Sequence, residues 1–475
     1  MVSNTITYTV KDLIDLGIIE KPLDGNHGGI HPKSSDYVED GIPFIMASDL
    51  INGHVDIKGC KFISEEQAKS LKKGFAKEGD VLLSHKATIG RTAVVGKLST
   101  DFIVLTPQIT YYRVLDLTRL NPRYLKYYFD SEAFQALFEQ WAGGGSTRLY
   151  LGITEQMKLP IELPEIKIQN KIVDLVDSFD RKVTLNRQIN QTLEQMAQAL
   201  FKSWFVDFDP VVDNALDAGF FEQVLDLPDE LLRRAEARKA VRAQVGFKPL
   251  PAATRQLFPT AFEPCDEPSL GLGGWVPKGW QAGCVSDVAR YNTKRIDTAE
   301  LTLGSYISTE NMLADRKGVQ PAANLPTVNS VPAYTTGDIL VSNIRPYFKK
   351  IWLAHGDGGY SNDVLGFGAR NAGTECYLFN LIYQDSFFDF MMTTSKGSKM
   401  PRGDKKAIMG WPIVVPELKL RKFYSEKVKD FYTSAFSRHN ENVVLAQLRD
   451  TLLPKLISGE LSLGDVELTT QQGAA

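Results

Sequence analysis

Two histidines, an aspartate, a lysine and three glycines lie within ten residues of the sequence, "DGNHGGIHPK" at positions 24–33. Histidine and aspartate can bind a metal ion, and glycine-rich loops can cradle a phosphate or bring a backbone close to a ligand. His27 and His31 are spaced for one face of a helix, but the glycines between them disfavour a helix. No third metal ligand is evident nearby, and no helix follows whose N-terminus would face a phosphate. The stretch is therefore predicted to contact a larger ligand through polar side chains, namely Asn26, His27, His31 and Lys33.

Three motifs that resemble catalytic sites are better explained as helix starts. "NPRY" at positions 121–124 is close to the NPPY motif of adenine N6-methyltransferases, but it opens an amphipathic stretch and has Arg123 in place of a proline. "PEIK" at 164–167 and "PELK" at 416–419 contain the ExK of metal-dependent nucleases, but each lies in the predicted first turn of a long helix, where glutamate favours the dipole. The sequence has no GxxxxGK[ST] loop and no serine nucleophile elbow, and its four cysteines are isolated. We therefore expect no catalytic residues and no bound metal ion.

Glycine-rich loops carry further basic and polar side chains that suit contacts with nucleic-acid bases and phosphates. In the first half these loops are "SHKATIGRTAVV" at 84–95 and "GGGSTRLYL" at 143–151. Their counterparts are "SNIRPYFKK" at 342–350 and "SKGSKMPRGDKK" at 395–406, and "YNTKRID" at 291–297 stands where the first half has "DGNHGGIHPK". Solvated surface charge is the alternative for each residue, but recurrence in both halves favours binding. The predicted contact residues on these loops are His85, Lys86, Arg91, Thr147, Arg148, Lys294, Arg295, Asn343, Arg345, Lys349, Lys399 and Arg402.

The composition is that of a globular protein with several domains. The chain has 475 residues, 43% hydrophobic and 23% charged, and this length suggests roughly two to four domains. No apolar run approaches the roughly 18–20 residues of a membrane span, and the N-terminus lacks a signal-peptide pattern, so we expect a cytoplasmic location and no membrane partner. The net charge of −3 does not by itself indicate a nucleic-acid partner. Residues 276–415 nevertheless hold 15 Lys and Arg against 12 Asp and Glu, whereas residues 207–275 hold 7 against 12.

The sequence contains an internal duplication. "LPIELPEIKIQ" aligns with "WPIVVPELKLR" at an offset of 252 residues, and this alignment continues without a gap to Leu200 and Leu452. Earlier in each half, "EGDVLLS" at 78–84 resembles "TGDILVS" at 336–342 at an offset of 258. The period far exceeds that of solenoid repeats, so the chain is predicted to hold two copies of one unit, each a β-rich region followed by a long helix.

Short runs of β-branched and aromatic residues, separated by Gly, Pro and Asn, predict the strands of each β-rich region. They are "DVLLS", "TAVVG", "FIVLT" and "ITYYRV" in the first half and "DILVS", "KKIWLA" and "CYLFNLIY" in the second. Short helical stretches, such as residues 121–141, lie between them. The predicted fold class is α+β, with a curved or barrel-like sheet in each β-rich region.

The two long helices are the clearest prediction. Residues 166–205 contain neither Pro nor Gly and predict a helix of about 60 Å. With Ile172 at a heptad a position, the a and d series form an imperfect coiled-coil seam in which polar Asn186 could fix the register. The matching second helix is predicted to end at Pro454 and Gly459. The pair predicts an antiparallel coiled coil between the β-rich regions; packing of each helix on its own region is the alternative.

Three segments resemble the specificity subunit of type I restriction-modification enzymes: "LNRQINQTLEQMAQALFKSWFVDFDPV", "LFPTAFE…GWVPKGW" and "LAQLRDTLLPKLISGEL". The resemblance covers nearly the whole chain. Such subunits carry two target recognition domains, each of which reads one half of a split DNA site, and two helical regions separate these domains like a ruler. The implied domains are residues 1–163 (first recognition domain), 164–206 (first helical region), 207–275 (acidic connector), 276–415 (second recognition domain), 416–462 (second helical region) and 463–475 (tail).

The resemblance also implies partners and cofactors. The chain would bind double-stranded DNA and two modification (methyltransferase) subunits, and restriction subunits would join for translocation and cleavage. S-adenosylmethionine, ATP and Mg²⁺ would be used by those partners and none by this chain. The residues expected to dock the modification subunits are Asn186, Ile189, Leu193, Met196, Leu445, Leu448 and Leu452.

Three other functions remain open on the sequence. A solitary methyltransferase–nuclease fusion would need catalytic motifs that the sequence lacks. A coiled-coil adaptor that does not bind DNA would explain the helices but not the paired polar loops. A DNA-targeting subunit of another phage-defence complex would share all of these features.

Overall fold

The computed structural model describes residues 5–143, 149–397 and 399–461. They fall into two compact units: unit 1 is Met1–Leu185 with Asn440–Ala475, and unit 2 is Asn186–His439. Each unit therefore combines one β-rich region with part of each long helix. The domain boundaries predicted at residues 163 and 415 lie at the ends of strands, whereas the division into units runs through the helices.

The elements of the first half are numbered here in chain order. The strands are β1 (Ile6–Thr9), β2 (Leu23–Asp24), β3 (Tyr37–Val38), β4 (Ile42–Ile45), β5 (Leu50–Ile51), β6 (Gly53–Val55), β7 (Lys61–Ile63), β8 (Phe75–Ala76), β9 (Val81–Lys86), β10 (Thr88–Val94), β11 (Ile103–Leu105), β12 (Ile109–Tyr112) and β13 (Pro160–Leu163). The α-helices are α1 (Val10–Asp15), α2 (Glu65–Ser70), α3 (Pro122–Asp130), α4 (Glu132–Ala142), α5 (Ile153–Gln156) and α6 (Ile166–Phe205).

The second half continues the numbering. Its strands are β14 (Phe262–Pro264), β15 (Trp275–Pro277), β16 (Gln281–Cys284), β17 (Ala289–Tyr291), β18 (Arg295–Asp297), β19 (Tyr306–Ile307), β20 (Ser330–Tyr334), β21 (Ile339–Ser342), β22 (Ile351–Leu353), β23 (Gly358–Tyr360), β24 (Val364–Ala369) and β25 (Pro412–Val415). Its α-helices are α7 (Asp209–Asp217), α8 (Asp229–Arg242), α9 (Ala252–Arg255), α10 (Val285–Val288), α11 (Glu375–Ile382), α12 (Asp385–Thr393), α13 (Lys405–Met409) and α14 (Leu418–Ile457).

Unit 1 is layered around strand β9. Its six-stranded sheet has the order β2-β12-β9-β10-β6-β5, and its five-stranded sheet has the order β3-β7-β4-β11-β8. In β9, Leu82 packs in the core between these sheets, whereas Val81 and Leu83 pack on the other face with side chains of α3 and α4. Alternate residues of a strand point to opposite faces, so burial of both faces explains why this strand is continuously apolar.

Unit 2 repeats this arrangement around strand β21. Its sheets have the orders β17-β24-β21-β22 and β18-β20-β23-β19. Leu340 packs between the sheets, while Ile339 and Val341 face the core that holds α11 and α12. Strands β9 and β21 match at the predicted offset of 258, and β13 and β25 match at 252. The duplication seen in the sequence is therefore a duplication of structure, and the predicted α+β class is confirmed. The strands that were predicted as a curved or barrel-like sheet form two facing sheets in each region.

The long helices α6 and α14 have 40 residues each and match at the offset of 252, which confirms both predicted helices. Within unit 2 they run antiparallel: Asn190 Nδ2 donates to the Ala435 carbonyl at 2.9 Å, and the Tyr424 hydroxyl donates to the Ala197 carbonyl at 2.9 Å. The corresponding ion pairs within unit 1 are Arg449–Asp180 at 3.0 Å and Lys182–Glu441 at 3.5 Å.

The predicted end of the second helix is correct for Gly459 but not for Pro454: α14 continues through the proline to Ile457, and Gly459, with a φ of 75°, follows within two residues. A proline inside a helix removes one backbone hydrogen bond and disfavours the turn before it. Leu453, Leu456 and Ile457 are buried in the core of unit 1. Burial of these side chains stabilises the last turn despite the proline.

The heptad assignment for α6 is only half correct. Two predicted d residues are exposed, Lys182 and Met196, whereas Val176 and Ala197 are buried. The buried stripe follows a period closer to 3.6 residues than to 3.5, because α6 packs on the β-rich regions as well as on α14. The helices are therefore an antiparallel pair without a regular coiled-coil seam in the described residues.

Two further predictions require correction. "CYLFNLIY" was predicted as a strand but forms helix α11, in which Cys376 through Ile382 are all buried. Periodicity cannot distinguish a fully buried helix from a buried strand in so short a run. The acidic connector, residues 207–275, is a folded part of unit 2, because Phe208, Val211 and Leu231 lie in the main core of that unit. Residues Asp229–Arg242 of this segment form the charged helix α8.

Candidate nucleic-acid interface

In each unit, two loops meet at the end of the central strand. In unit 1, the Ala87 amide in the turn after β9 donates to the Leu149 carbonyl, in the loop between α4 and α5, at 3.1 Å. In unit 2, the Arg345 amide donates to the Pro401 carbonyl at 2.9 Å in the equivalent place. Ala87 and Arg345 both adopt a left-handed backbone, with φ angles of 66° and 50°. We call these two contact regions loop junction 1 (residues 84–91 with 149–152) and loop junction 2 (residues 342–350 with 395–403).

An isolated β-bridge also closes each junction, Lys86 with Tyr150 and Ile344 with Arg402. In loop junction 1, the Lys86 Nζ lies 5.8 Å from the centroid of the Tyr150 ring. In loop junction 2, Arg402 forms an ion pair with Asp363 at 3.1 Å. Within each unit the structure thus brings together the two predicted loops, and equivalent loops carry different side chains in the two units.

The predicted basic residues of loop junction 1 lie on its surface. Lys86 and Arg91 are exposed, and the Arg91 guanidinium donates to the Ala47 carbonyl at 3.1 Å. Thr147 and Arg148 lie outside the described residues. Lys86 and Arg91 are therefore accessible to a ligand.

His85 and Asn343 occupy equivalent positions at the end of the central strand, but both are buried, at 0% and 7% exposure. His85 Nδ1 lies 3.0 Å from the Leu151 carbonyl, and burial lowers the pKa of this imidazole, so it is neutral at pH 7. His85 Nε2 and Asn343 Oδ1 have no hydrogen-bond partner among the described residues. Their position places these side chains behind the loop surface, which does not support the predicted direct contact with DNA.

The stretch that begins at Asp24 is partly a structural brace. Asp24 is 4% exposed, and its carboxylate accepts hydrogen bonds from His27, at 2.7 Å, and from Lys73. These two donors lower the pKa of Asp24 against the opposing effect of burial. Asn26 is 2% exposed; its side chain accepts from the Lys72 amide at 3.0 Å and donates to the Lys73 carbonyl at 2.5 Å. The prediction that Asn26 contacts DNA is therefore not supported by its position.

The glycine in this brace also has an internal role. A Cβ on Gly25 would lie 1.9 Å from the Leu105 carbonyl oxygen, so the close backbone approach there is to strand β11. His31 is half-buried against Phe44, with ring centroids 5.6 Å apart, and burial lowers its pKa. His27 and Lys33 are the exposed members of the stretch. Only these two of the four predicted residues are well placed for a ligand.

The predicted residues of unit 2 are mostly exposed, although ion pairs hold several of them. Arg345 and Lys399 are exposed at loop junction 2. Lys349 is half-buried and binds Asp385 at 2.6 Å. Lys294 and Arg295 are exposed at β18, and Arg295 Nε donates to the Ser330 hydroxyl at 3.0 Å.

Two exposed tyrosines at the loop junctions, Tyr150 and Tyr347, were not predicted from the sequence. Tyr150 is 48% exposed, and Tyr347 is 49% exposed beside Phe348, which is 37% exposed. In "RLYL" an arginine lies two residues before the ring, and in "RPYFKK" basic residues lie on both sides of it. Aromatic residues next to Arg and Lys in a Gly- or Pro-containing loop are the signal that could have identified them, because the aromatic face of tyrosine can stack on a base.

The helix residues predicted to dock other subunits differ in exposure. Met196 and Leu448 are 50% and 44% exposed. Asn186 is 1% exposed, so its side chain is not on the surface of unit 2. The half-buried residues of the set are Ile189, Leu193, Leu445 and Leu452.

Neither a metal-binding cluster nor a membrane-spanning helix is found among the described residues. No group of three or more His, Cys, Asp and Glu side chains in that part of the chain could hold a metal ion. No helix there is long and apolar enough to cross a membrane.

Comparison with known proteins gave consistent matches. Residues 7–195 match the family "Type I restriction modification DNA specificity domain". The chain is 26% identical to the specificity subunit of type I restriction enzyme HindI from Haemophilus influenzae, over 88% of this chain and 94% of the relative. It is 22% identical to the MjaIX specificity subunit from Methanocaldococcus jannaschii, over 97% of this chain and 94% of the relative. A crystal structure of a type I S subunit from M. genitalium shares 12% identity over 96% of each chain, with a TM-score of 0.49.

The domain match and the relatives agree with the resemblance that the helix-flanking segments carry. Both relatives are matched along nearly their whole length, so the similarity includes both β-rich regions and both long helices. Residues 7–195 thus match the type I restriction modification DNA specificity domain, and the chain is similar along nearly its whole length to type I restriction enzyme specificity subunits.

Proposed function

We propose that this chain is the DNA-recognition subunit of a type I restriction-modification complex, in which each loop junction reads one half of a bipartite target. The observation that carries this proposal is duplication of the scaffold with divergence of the side chains. The same strand, left-handed turn and β-bridge occur in both units, yet Tyr150 is matched by Arg402 and Ala87 by Arg345. A common scaffold gives a common mode of docking, and different side chains at equivalent places select different bases.

The proposal extends to partners that are separate chains. Met196 and Leu448 expose apolar side chains on the long helices, which suits docking of two modification subunits. Those subunits would bind S-adenosylmethionine and transfer the methyl group, and restriction subunits would use ATP and Mg²⁺. The chain itself would be non-catalytic, bind no cofactor and act on DNA in the cytoplasm.

The test is reconstitution of the full-length chain with its modification subunit. The complex should protect one bipartite sequence from nuclease digestion and methylate adenine there, whereas the chain alone should not transfer methyl groups. Methyl transfer by the chain alone would support a methyltransferase fusion, and the absence of sequence selectivity would support an adaptor. Sequence-selective protection without methylation would support the alternative of a targeting subunit in another phage-defence complex.

A further inference from the structure

We propose that each unit places one tyrosine ring against a nucleobase of its half-site, Tyr150 in unit 1 and Tyr347 in unit 2. This inference rests on the proposed DNA-binding function and adds an aromatic contact to the polar contacts predicted from the sequence. Stacking on a side chain is available to every base, because every base has a π face.

The side chains of both tyrosines are exposed to solvent. The chain has 17 tyrosines, all within the described residues, and Tyr150 and Tyr347 are the two whose side chains are exposed. Their exposed fractions are 48% and 49%. Tyrosine is ordinarily intermediate or buried, so an exposed ring in a binding region is informative. Both exposed rings lie at a loop junction, one in each unit.

The two tyrosines do not occupy equivalent positions in the duplicated halves. Tyr150 lies in the loop between α4 and α5, and its structural counterpart is Arg402. Tyr347 lies in the turn after β21, and at the offset of 258 its counterpart is Ile89. The duplication of the scaffold alone therefore does not account for an exposed ring at both junctions.

A neighbouring aromatic ring contacts each of the two tyrosine rings. The Tyr150 ring lies near the buried His85 ring, with ring centroids 5.7 Å apart and an interplanar angle of 43°. The Tyr347 ring lies 4.6 Å from that of Phe348, in a turn whose flanking residues Arg345 and Lys349 both have positive φ angles, of 50° and 48°. Such a backbone is unfavourable for these residues and is concentrated at functional sites. A ring held in this way loses little conformational freedom when a base stacks on it.

A basic side chain lies close to each of the two tyrosines. The Lys86 Nζ lies over the Tyr150 ring, 5.8 Å from its centroid, and Arg345 is exposed two residues before Tyr347. Basic side chains next to a ring can bind the phosphates that flank a base, while the ring contacts the base itself. Where an apolar or aromatic side chain enters a duplex, it partly unstacks a base step and bends the DNA. The ring-plus-cation arrangement therefore fits DNA better than an uncharged protein surface.

The experiment measures binding of the complete complex, with modification subunits, to its target duplex. Tyr347→Ala should weaken binding by about tenfold or more, whereas Tyr347→Phe should stay within about twofold of wild type, because the ring and not the hydroxyl makes the contact. The slope of log K against log salt should be unchanged in both variants, because no phosphate contact is lost. Tyr150→Ala should give the same loss through the first half-site. Leu303→Ala, at a leucine that is 45% exposed in unit 2, is the matched control and should bind as wild type.

A scrambled second half-site distinguishes a base contact from misfolding. On that duplex, Tyr347→Ala should bind as weakly as wild type and no weaker, while a misfolded unit would also melt at a lower temperature. Wild-type affinity of both alanine variants on the true target would overturn the inference and leave the proposed function intact. Equal losses for Tyr347→Phe and Tyr347→Ala would also overturn it, since the hydroxyl would then be the contact. A wild-type complex without sequence selectivity would instead overturn the proposed function.

Discussion

The Tyr127 hydroxyl donates a hydrogen bond to the Asp177 carboxylate at 2.5 Å, and this contact joins α3 of the first β-rich region to the long helix α6. Asp177 is 5% exposed and also binds Arg123, at 3.1 Å. Burial together with the hydrogen bond raises the pKa of Tyr127 above its usual range. The β-rich region of unit 1 is thus anchored on α6 through the buried carboxylate of Asp177.

Asp177→Ala should destabilise unit 1 by about 1–3 kcal/mol, because the Tyr127 hydroxyl loses the shorter of its two carboxylate contacts and keeps the one to Asp180, at 3.0 Å, while Arg123 loses its ion pair. The measurement is the free energy of unfolding in denaturant. Asp174→Ala, at an exposed position on the same helix, is the control and should change stability by less than about 0.5 kcal/mol. Additive effects of Tyr127→Phe and Asp177→Ala in a double-mutant cycle would show that the contact contributes nothing.

Arg345→Ala should weaken binding to the target in a way that identifies its contact. If the guanidinium reads a base, the loss should be confined to duplexes with an intact second half-site, at about 1–3 kcal/mol. If it binds phosphate, the loss should be uniform across sequences and the salt slope should fall by about one. Arg290→Ala, at an exposed arginine on β17, is the matched control. Unchanged binding of Arg345→Ala would remove this residue from the site.

Unit 2 should lose stability in mild acid through His355. This ring stacks on Phe436 with centroids 4.3 Å apart, and burial together with nearby His439 lowers its pKa to about 4. The ordinary value in an unfolded chain is about 6.5, so the unfolded state binds the proton more tightly. The stabilising contribution is therefore present above pH 6.5 and is lost as the pH falls from 6.5 towards 4.

His355→Phe keeps a ring against Phe436 and removes the titration. As the pH falls from 7 to 4.5, the unfolding free energy of wild type should decrease more than that of this variant. Charged residues around the same cavity of about 660 Å³ are common to both proteins; they are Glu375, Lys422, Glu426 and Lys429. Parallel pH profiles for the two proteins would contradict this role of His355.

The ruler role of the helices predicts the effect of a paired insertion. Seven residues added to α6 after Leu185 and to α14 after His439 keep the antiparallel pairing and lengthen each helix by about 10 Å. The spacer between half-sites should then grow by about three base pairs, since the rise per base pair is about 3.4 Å. Insertion into one helix alone should disrupt pairing and is the control. Sequencing of protected DNA gives the spacer, and an unchanged spacer would contradict the ruler.

Much of the fold could be predicted because it depends on local pattern and repetition. The absence of Pro and Gly across residues 166–205 identified α6 at both ends, and the offset of 252 located α14. The pattern failed where packing decides: α11 is buried on all sides and therefore has no periodic polar face. The prediction that Pro454 ends α14 failed because long-range burial of Leu456 outweighs the local effect of the proline, whereas Gly459 does follow the helix end.

The candidate site was predictable in its loops but not in its individual side chains. The sequence identified which loops correspond, since strand β21 repeats strand β9. It could not show that Asn26 binds the backbone of residues 72 and 73, because this contact spans nearly fifty residues of chain. Selection of polar residue types alone also favoured the buried His85 and overlooked the exposed Tyr347.

The most direct test of the central claim is a map of methylated adenines in the genome of cells that express this chain with its modification subunit. We predict one bipartite, asymmetric motif that disappears when the chain is deleted. Replacement of residues 276–415 by the corresponding region of another specificity subunit should change one half of the motif and leave the other half intact. A motif that does not depend on this chain, or that changes in both halves after the replacement, would contradict the assignment of one half-site to each unit.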